Sequence, residues 1–128
     1  MPSMNLSLVL KKDPYDVMVT GEKSYEYRTN TQYWRSRLYH MDGTKKDMTH
    51  VHFFHGYQKK RRSFMVEFHG FEIIDEVDIK YSNGLHVKYP YEKNGYIKIK
   101  LGKITTEESI IQHVLTTLNE LKNVNNFN

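Results

Sequence analysis

The sequence predicts a mixed α+β domain built on a small β-barrel of five to six strands with flanking helices, including a C-terminal amphipathic helix. Three observations predict it. Short segments alternate apolar and polar residues and are bounded by Gly, Asn and Asp turns. One long segment near the C-terminus repeats Ile and Leu at helical spacing. The chain has 128 residues, which fits one domain able to bury a core unaided.

The elements follow in order. Asn5 to Leu10 alternates and reads as a first strand. Asp13-Pro14 reads as a helix start, with Asp13 as cap and Pro14 in the first turn. Gly21 suits the end of that helix. Ser24 to Arg28 reads as a second strand, with Tyr25 and Tyr27 on one face and Ser24, Glu26 and Arg28 on the other. Thr29 or Thr31 caps a short helix through Tyr39, with Trp34 and Leu38 facing the core. Met41 to Met48 reads as a loop and Thr49 to Phe54 as a strand. Gly56 to Arg62 is a basic turn, and Ser63 to Ile74 is a long strand with Gly70 as a bulge. Asp75 to Pro90 carries a Ser82-Asn83-Gly84 turn but no clear assignment. Asn94-Gly95 marks a turn before the strand Tyr96 to Leu101, where Ile97, Ile99 and Leu101 share a face. Thr105 and Glu108 form a capping box for a helix carrying Ile110, Ile111, Val114, Leu115, Leu118 and Leu121. The domain is expected over residues 1–122, with residues 123–128 as a flexible tail.

Composition narrows the function classes. The absence of cysteine excludes disulfides, thiolate zinc sites and cysteine nucleophiles. No apolar run approaches a membrane span, and no signal peptide is visible at the start, so a soluble, cytoplasmic protein is expected. The net charge of +4 is modest, but its distribution is not uniform. Lys59-Lys60-Arg61-Arg62 forms one basic block, Lys93, Lys98, Lys100 and Lys103 a second, and Arg28, Arg35 and Arg37 a third. Ten tyrosines supply rings with polar tips. Cations interleaved with aromatics suit a polyanion binder that stacks bases. The plainer alternative is a solvated surface.

The segment Gly21-Glu22-Lys23-Ser24-Tyr25-Glu26-Tyr27-Arg28 resembles the G-x-K-x-x-E-x-R signature of the ASCH family, a branch of the PUA-like β-barrels. Val51 to Phe68 is similar to the barrel strands that follow in relatives, and Tyr33-Trp34-Arg35 to an aromatic-basic stretch in some members. The resemblance covers about half the chain. It implies a six-stranded or similar barrel with helices at its ends and a cleft beside the signature. It also implies an RNA-linked role: RNA binder, coactivator module or small hydrolase. One branch resembles amidohydrolases of N4-acetylcytidine that use the motif lysine, a threonine three residues later and a glutamate further along. Lys23 matches the lysine, but Glu26 stands where that threonine would be. A carboxylate in place of that hydroxyl would form an anhydride, so the nucleophile is missing at the matching position.

The residues themselves point to the same place. Glu26 and Arg28 project from one strand face, Ser24 shares it, and Lys23 opens the strand. Two cations around one acid can hold a phosphate and read a base amine, or carry acid-base chemistry through Lys23 and Glu26. The duller alternative is a solvated salt-bridge ladder worth under about 1 kcal/mol. Trp34, Arg35 and Arg37 are stacking and phosphate candidates. So are Tyr57, Lys59, Lys60, Arg61 and Arg62, against a plain hairpin tip. His50, His52 and His55 lie close together, with His69 further on, but no acid sits at matching spacing. No metal centre and no cofactor are expected. The functional expectation is therefore RNA or nucleotide binding, with a hydrolase and a protein-interaction module as alternatives.

Overall fold

The computed structural model describes residues 4–57, 61–105 and 118–119. Its elements run β1 (Met4–Leu10), α1 (Lys12–Val19), β2 (Tyr25–Thr29), α2 (Gln32–Leu38), β3 (Met48–His55), β4 (Ser63–Ile74), β5 (Val77–Lys80), β6 (His86–Tyr89) and β7 (Tyr96–Ile104). Five strands form one sheet in the order β1-β3-β4-β7-β2, and β5-β6 form a separate two-stranded sheet. β1 pairs with β3 in parallel, and the other pairs are antiparallel.

Strand alternation sets the core. Leu6, Leu8 and Leu10 on β1, Val51 and Phe53 on β3, Phe64 and Val66 on β4, and Ile97, Ile99 and Leu101 on β7 are all buried together. Tyr15 and Met18 from α1 and Leu38 from α2 complete this cluster. Among the described residues the sheet curls into a half-barrel with β1 and β2 as its edges, so the small barrel expected from the sequence is present in this partly open form. β4 carries the bend: its register with β7 shifts on both sides of Phe68, and Gly70 has φ +92°, as the bulge reading anticipated.

The first helix starts earlier than Asp13-Pro14 suggests. Lys11 is its cap in extended backbone, with no side-chain hydrogen bond, and Asp13 lies in the first turn. Gly21 ends it at φ +86°, donating its N–H to Met18 O at 3.0 Å. Thr31 caps α2, accepting the Trp34 N–H, and Tyr39 is the residue just after the helix. The unassigned stretch after Ile74 is a hairpin around Ser82-Asn83-Gly84. Its Val77 and Val87 bury Tyr27 in a second, smaller cluster. The helix expected after Thr105, apart from Leu118 and Asn119, and the tail 123–128 lie outside the described residues. Among the described residues no helix is long and apolar enough to cross a membrane.

Gly95 starts β7 at φ +78°, and a Cβ there would lie 2.7 Å from the Ile74 carbonyl oxygen. Gly95→Ala therefore combines a disfavoured backbone with a clash. It should lower stability by about 1–3 kcal/mol, read as a lower Tm. Gly43→Ala, with nothing near its Cβ, isolates the backbone contribution and should cost less.

Candidate functional site

The turn at Gly21 feeds Lys23 back onto α1, where its N–H donates to Val17 O at 2.9 Å. Ser24 then enters the sheet, its carbonyl accepting Leu101 N–H at 3.0 Å. From there β2 runs antiparallel to β7, with Glu26 opposite Ile99 and Arg28 opposite Ile97. Antiparallel pairing points alternate backbone groups toward the partner strand. Ser24, Glu26 and Arg28 face β7 with their backbones, so Tyr25 and Tyr27 aim theirs at the unpaired edge.

Three charged side chains occupy that edge. Lys23 Nζ donates to Tyr25 O at 2.6 Å and to Glu26 Oε1 at 3.0 Å. Glu26 Oε1 also accepts the Tyr27 N–H at 2.9 Å. Arg28 Nη1 donates to Tyr27 O at 2.9 Å and sits 3.1 Å from Glu26 Oε2. The side chains of Lys23, Glu26 and Arg28 are 1%, 6% and 19% exposed. In place of the solvated ladder weighed as the duller alternative, the strand carries an ion triad of buried Lys23 and Glu26 with partly buried Arg28. Glu26 Oε2 is paired to Arg28 in charge but has no aligned hydrogen-bond donor. The Arg28 Nη1 hydrogen bond is directed at Tyr27 O instead.

The charges shift each other. Burial pushes the Glu26 carboxyl up, but Lys23, Arg28 and the Tyr27 amide together hold it below the usual carboxylate range. Burial pulls the Lys23 ammonium down and Arg28 adds to this, while Glu26 opposes it. Burial pushes the Tyr27 hydroxyl up to about 12.

The triad continues into α2. The Arg28 guanidinium lies over the Trp34 ring at 5.2 Å. Trp34 meets Tyr33 edge-on at 5.0 Å, and Arg37 lies over Tyr33 at 5.0 Å while donating to its hydroxyl at 2.7 Å. Arg28, Trp34, Tyr33 and Arg37 therefore form one continuous ladder of cations and rings.

Other sequence candidates are placed elsewhere. Arg35 binds Asn30 O and Oδ1 and Gln32 Oε1, holding the turn before α2. It also lines an open groove of about 470 Å³ with Ser36, His40 and Lys46. Ser24 is exposed. Tyr57 is exposed, Arg61 lies over Phe54 at 4.0 Å and donates to Gly56 O, and Arg62 O accepts the His55 N–H. Lys59 and Lys60 lie outside the described residues. Ile73 pairs with Ile97 at the level of Arg28, whereas the basic turn adjoins Ser63. Fully extended, those ten steps along β4 would span roughly 30 Å, so Arg61 and Arg62 adjoin the far end of β4 from the level of Arg28. His50 bonds Thr49 Oγ1, His52 packs on Phe54, and His55 stacks on Tyr15. Among the described residues no three His, Asp or Glu side chains converge to hold a metal ion.

The residues missed in the sequence come from the hairpin. Tyr89 meets Tyr27 edge-on at 6.5 Å, Tyr81 packs against the Tyr27 cluster, and burial pushes both hydroxyls up, with the Glu26 charge adding to it. Their signal was present: Val77-Asp78-Ile79-Lys80 and His86-Val87-Lys88-Tyr89 alternate around a turn.

Glu26→Gln leaves buried Lys23 and partly buried Arg28 without their counter-charge. It should cost about 3–5 kcal/mol in denaturant unfolding. The lowered Glu26 pKa stabilises the fold above the unfolded value near 4.5, and that stability is lost as pH falls through the lowered folded value. The acid limb of a stability–pH curve should therefore be shallower in Glu26→Gln than in the parent protein. The chain matches no family model, no curated protein and no solved structure.

Proposed function

We propose that this protein is an ASCH-like domain that binds single-stranded RNA or a modified nucleotide at the Lys23–Glu26–Arg28 triad and its α2 ladder. One observation carries this reading. A planar cation rests on the only tryptophan of the chain, beside a buried carboxylate oxygen with no hydrogen-bond donor.

Each group has a chemical task. Arg28 and Arg37 present guanidinium charge to phosphate, and guanidinium planes also stack on bases. Tyr33, half exposed, offers a ring for stacking. Glu26 Oε2, enclosed in this structure, can accept from the exocyclic amine of a base only where a ligand displaces its cover. Lys23 is too buried to touch a ligand and holds Glu26 in place. This differs from a direct phosphate contact by Lys23. It also weakens the hydrolase alternative. Lys23 is already bonded to Tyr25 O and Glu26, and position 26 supplies no hydroxyl nucleophile.

Trp34 makes the test direct. Titrating the protein with single-stranded RNA at about 50 mM salt should quench its fluorescence, with affinity falling steeply as salt rises. Arg28→Ala should weaken binding about tenfold or more. Arg28→Lys should recover little of it, because charge without the planar fork does not stack. Lys12→Ala, on the exposed face of α1, should bind like the parent. Absence of quenching at low salt, or equal affinity for Arg28→Ala, would overturn the proposal.

A further inference from the structure

Trp34 and Leu38 of α2 turn to the core, and Tyr33 and Arg37 carry the ladder. A third face is left. Gln32, Arg35 and Ser36 share it at helical spacing, and Tyr39 follows them at the helix end. With His40, Met41 and Lys46 they line the open groove of about 470 Å³. Among the described residues no acid lines it.

The far wall is the turn after α2, and backbone bonds fix its shape. The His40 N–H donates to Thr44 O at 2.8 Å, the Gly43 N–H to His40 O at 3.0 Å and the Lys46 N–H to Leu38 O at 2.8 Å. Tyr39 and Lys45 form a β-bridge. The nearest acids in sequence, Asp42 and Asp47, are exposed and do not line the groove. Asp42 Oδ1 is taken by the Thr44 N–H and hydroxyl at 3.0 and 2.6 Å.

The positive charge in the groove is uncompensated. Arg35 directs Nη1 at Asn30 O and Oδ1 and Nη2 at Gln32 Oε1, all neutral acceptors. Its Nε–H makes no hydrogen bond among the described residues. Arg35 and Lys46 are both partly buried. Yet among the described residues neither they nor His40 has a carboxylate within ion-pair distance. The cations of the triad face Glu26, and Lys98 and Lys100 face Glu72. Cations drawn partly out of water without an acid carry a cost that a bound anion offsets.

We propose that this groove is a separate ligand site that takes a phosphate ester of nucleotide size, with Arg35, His40 and Lys46 on the phosphate and Tyr39 and Met41 against the organic part. A phosphate monoester carries about two negative charges at neutral pH, which matches two permanent cations. Asn30 holds Arg35 in place before a ligand arrives, so little side-chain freedom is lost on binding. Its free Nε–H then faces a phosphate oxygen. His40 donates to the same group in either charge state. Met41 is fully exposed and gives the organic part an apolar rim. The groove volume lies within the usual range of small-ligand sites. The site shares no residue with the triad or the ladder and does not rest on the RNA reading.

Amide NMR titration of the full chain tests it. AMP at about 50 mM salt should shift the amides of Arg35, Ser36 and residues 39–46, and adenosine should not. Lys46→Gln should weaken AMP about threefold to tenfold, and adding His40→Gln should weaken it further. Neither side chain makes a hydrogen bond or ion pair among the described residues, so both variants should keep the parent Tm within about 2 °C. A free nucleotide and the phosphorylated end of an RNA strand offer the same group. Groove shifts from AMP that a 5′-phosphorylated RNA does not reproduce assign the free nucleotide. Shifts from that RNA, absent with its 5′-hydroxyl counterpart, assign the strand end. Either supports the site. Equal response to AMP and adenosine, or no groove shift at about 10 mM AMP, would overturn it. So would unchanged AMP affinity with a lowered Tm in Lys46→Gln, which would mean that Lys46 only offsets the carbonyl end of α2. AMP shifts at Arg28 and Trp34 with none in the groove would overturn this site and leave the RNA reading standing.

Discussion

A sheet that stops short of closing must deal with the outward backbone groups of its last strand. On β2 the Tyr25 carbonyl and the Tyr27 amide and carbonyl are among those groups, and each of these is met by a charged side chain of the same strand or its entry turn. An unpaired edge is otherwise a template for another chain. The rest of the architecture leans on this solution. Arg28, fixed by Tyr27 O and Glu26, sets where Trp34 and hence α2 rest. Tyr27, whose backbone is held by the triad, is the ring around which Val77 and Val87 bury.

Burial changes what these charges do. The surface contacts of Glu72 with Lys98 and Lys100, at 3.7 and 3.8 Å, lie in water and contribute little. In the triad the desolvation cost is high, so losing one partner is far worse than never having had the set. Each shift is the balance of that cost against the partners: the two cations outweigh burial and hold the Glu26 carboxyl down, while burial pulls the Lys23 ammonium down and Glu26 only partly offsets it. The set carries two cations and one anion, and Arg28 is its most exposed member. The surplus positive charge therefore sits where an anion can reach it.

Much of this was legible in the sequence, for identifiable reasons. Period-two alternation marked Asn5 to Leu10 as a strand and put Ile97, Ile99 and Leu101 on one face, and the same rule put Glu26 and Arg28 on one face. The Gly70 bulge and the Gly21 helix end followed from backbone freedom that only glycine supplies at low cost. What failed was everything set by distant partners. Nothing local to Tyr25–Thr29 says that the strand pairs with Tyr96–Ile104 or that its other side stays open. Spacing shows which face a residue takes, not what covers it, so the burial of Lys23 and Glu26 was invisible. The Asp13-Pro14 start misled because it is a strong local signal, while Lys11 caps the helix by backbone conformation alone.

Edge capping and ligand binding need not compete for the same atoms. Capping the edge uses Lys23 Nζ, Glu26 Oε1 and one nitrogen of Arg28. A Lys–Glu pair alone would meet the Tyr25 carbonyl and the Tyr27 amide, and would do so without burying a third charge. Arg28 adds a hydrogen bond to Tyr27 O, but it also faces Glu26 Oε2 without bonding it and lays its plane on Trp34. Buried polar atoms in folded proteins are almost always satisfied, so one left over at a site is informative. The atoms not consumed by the edge are a carboxylate oxygen and the outer face of a guanidinium, side by side. They are an acceptor without a hydrogen-bond donor and a cation face laid on Trp34, and under the proposed function that pair is what a nucleotide would meet.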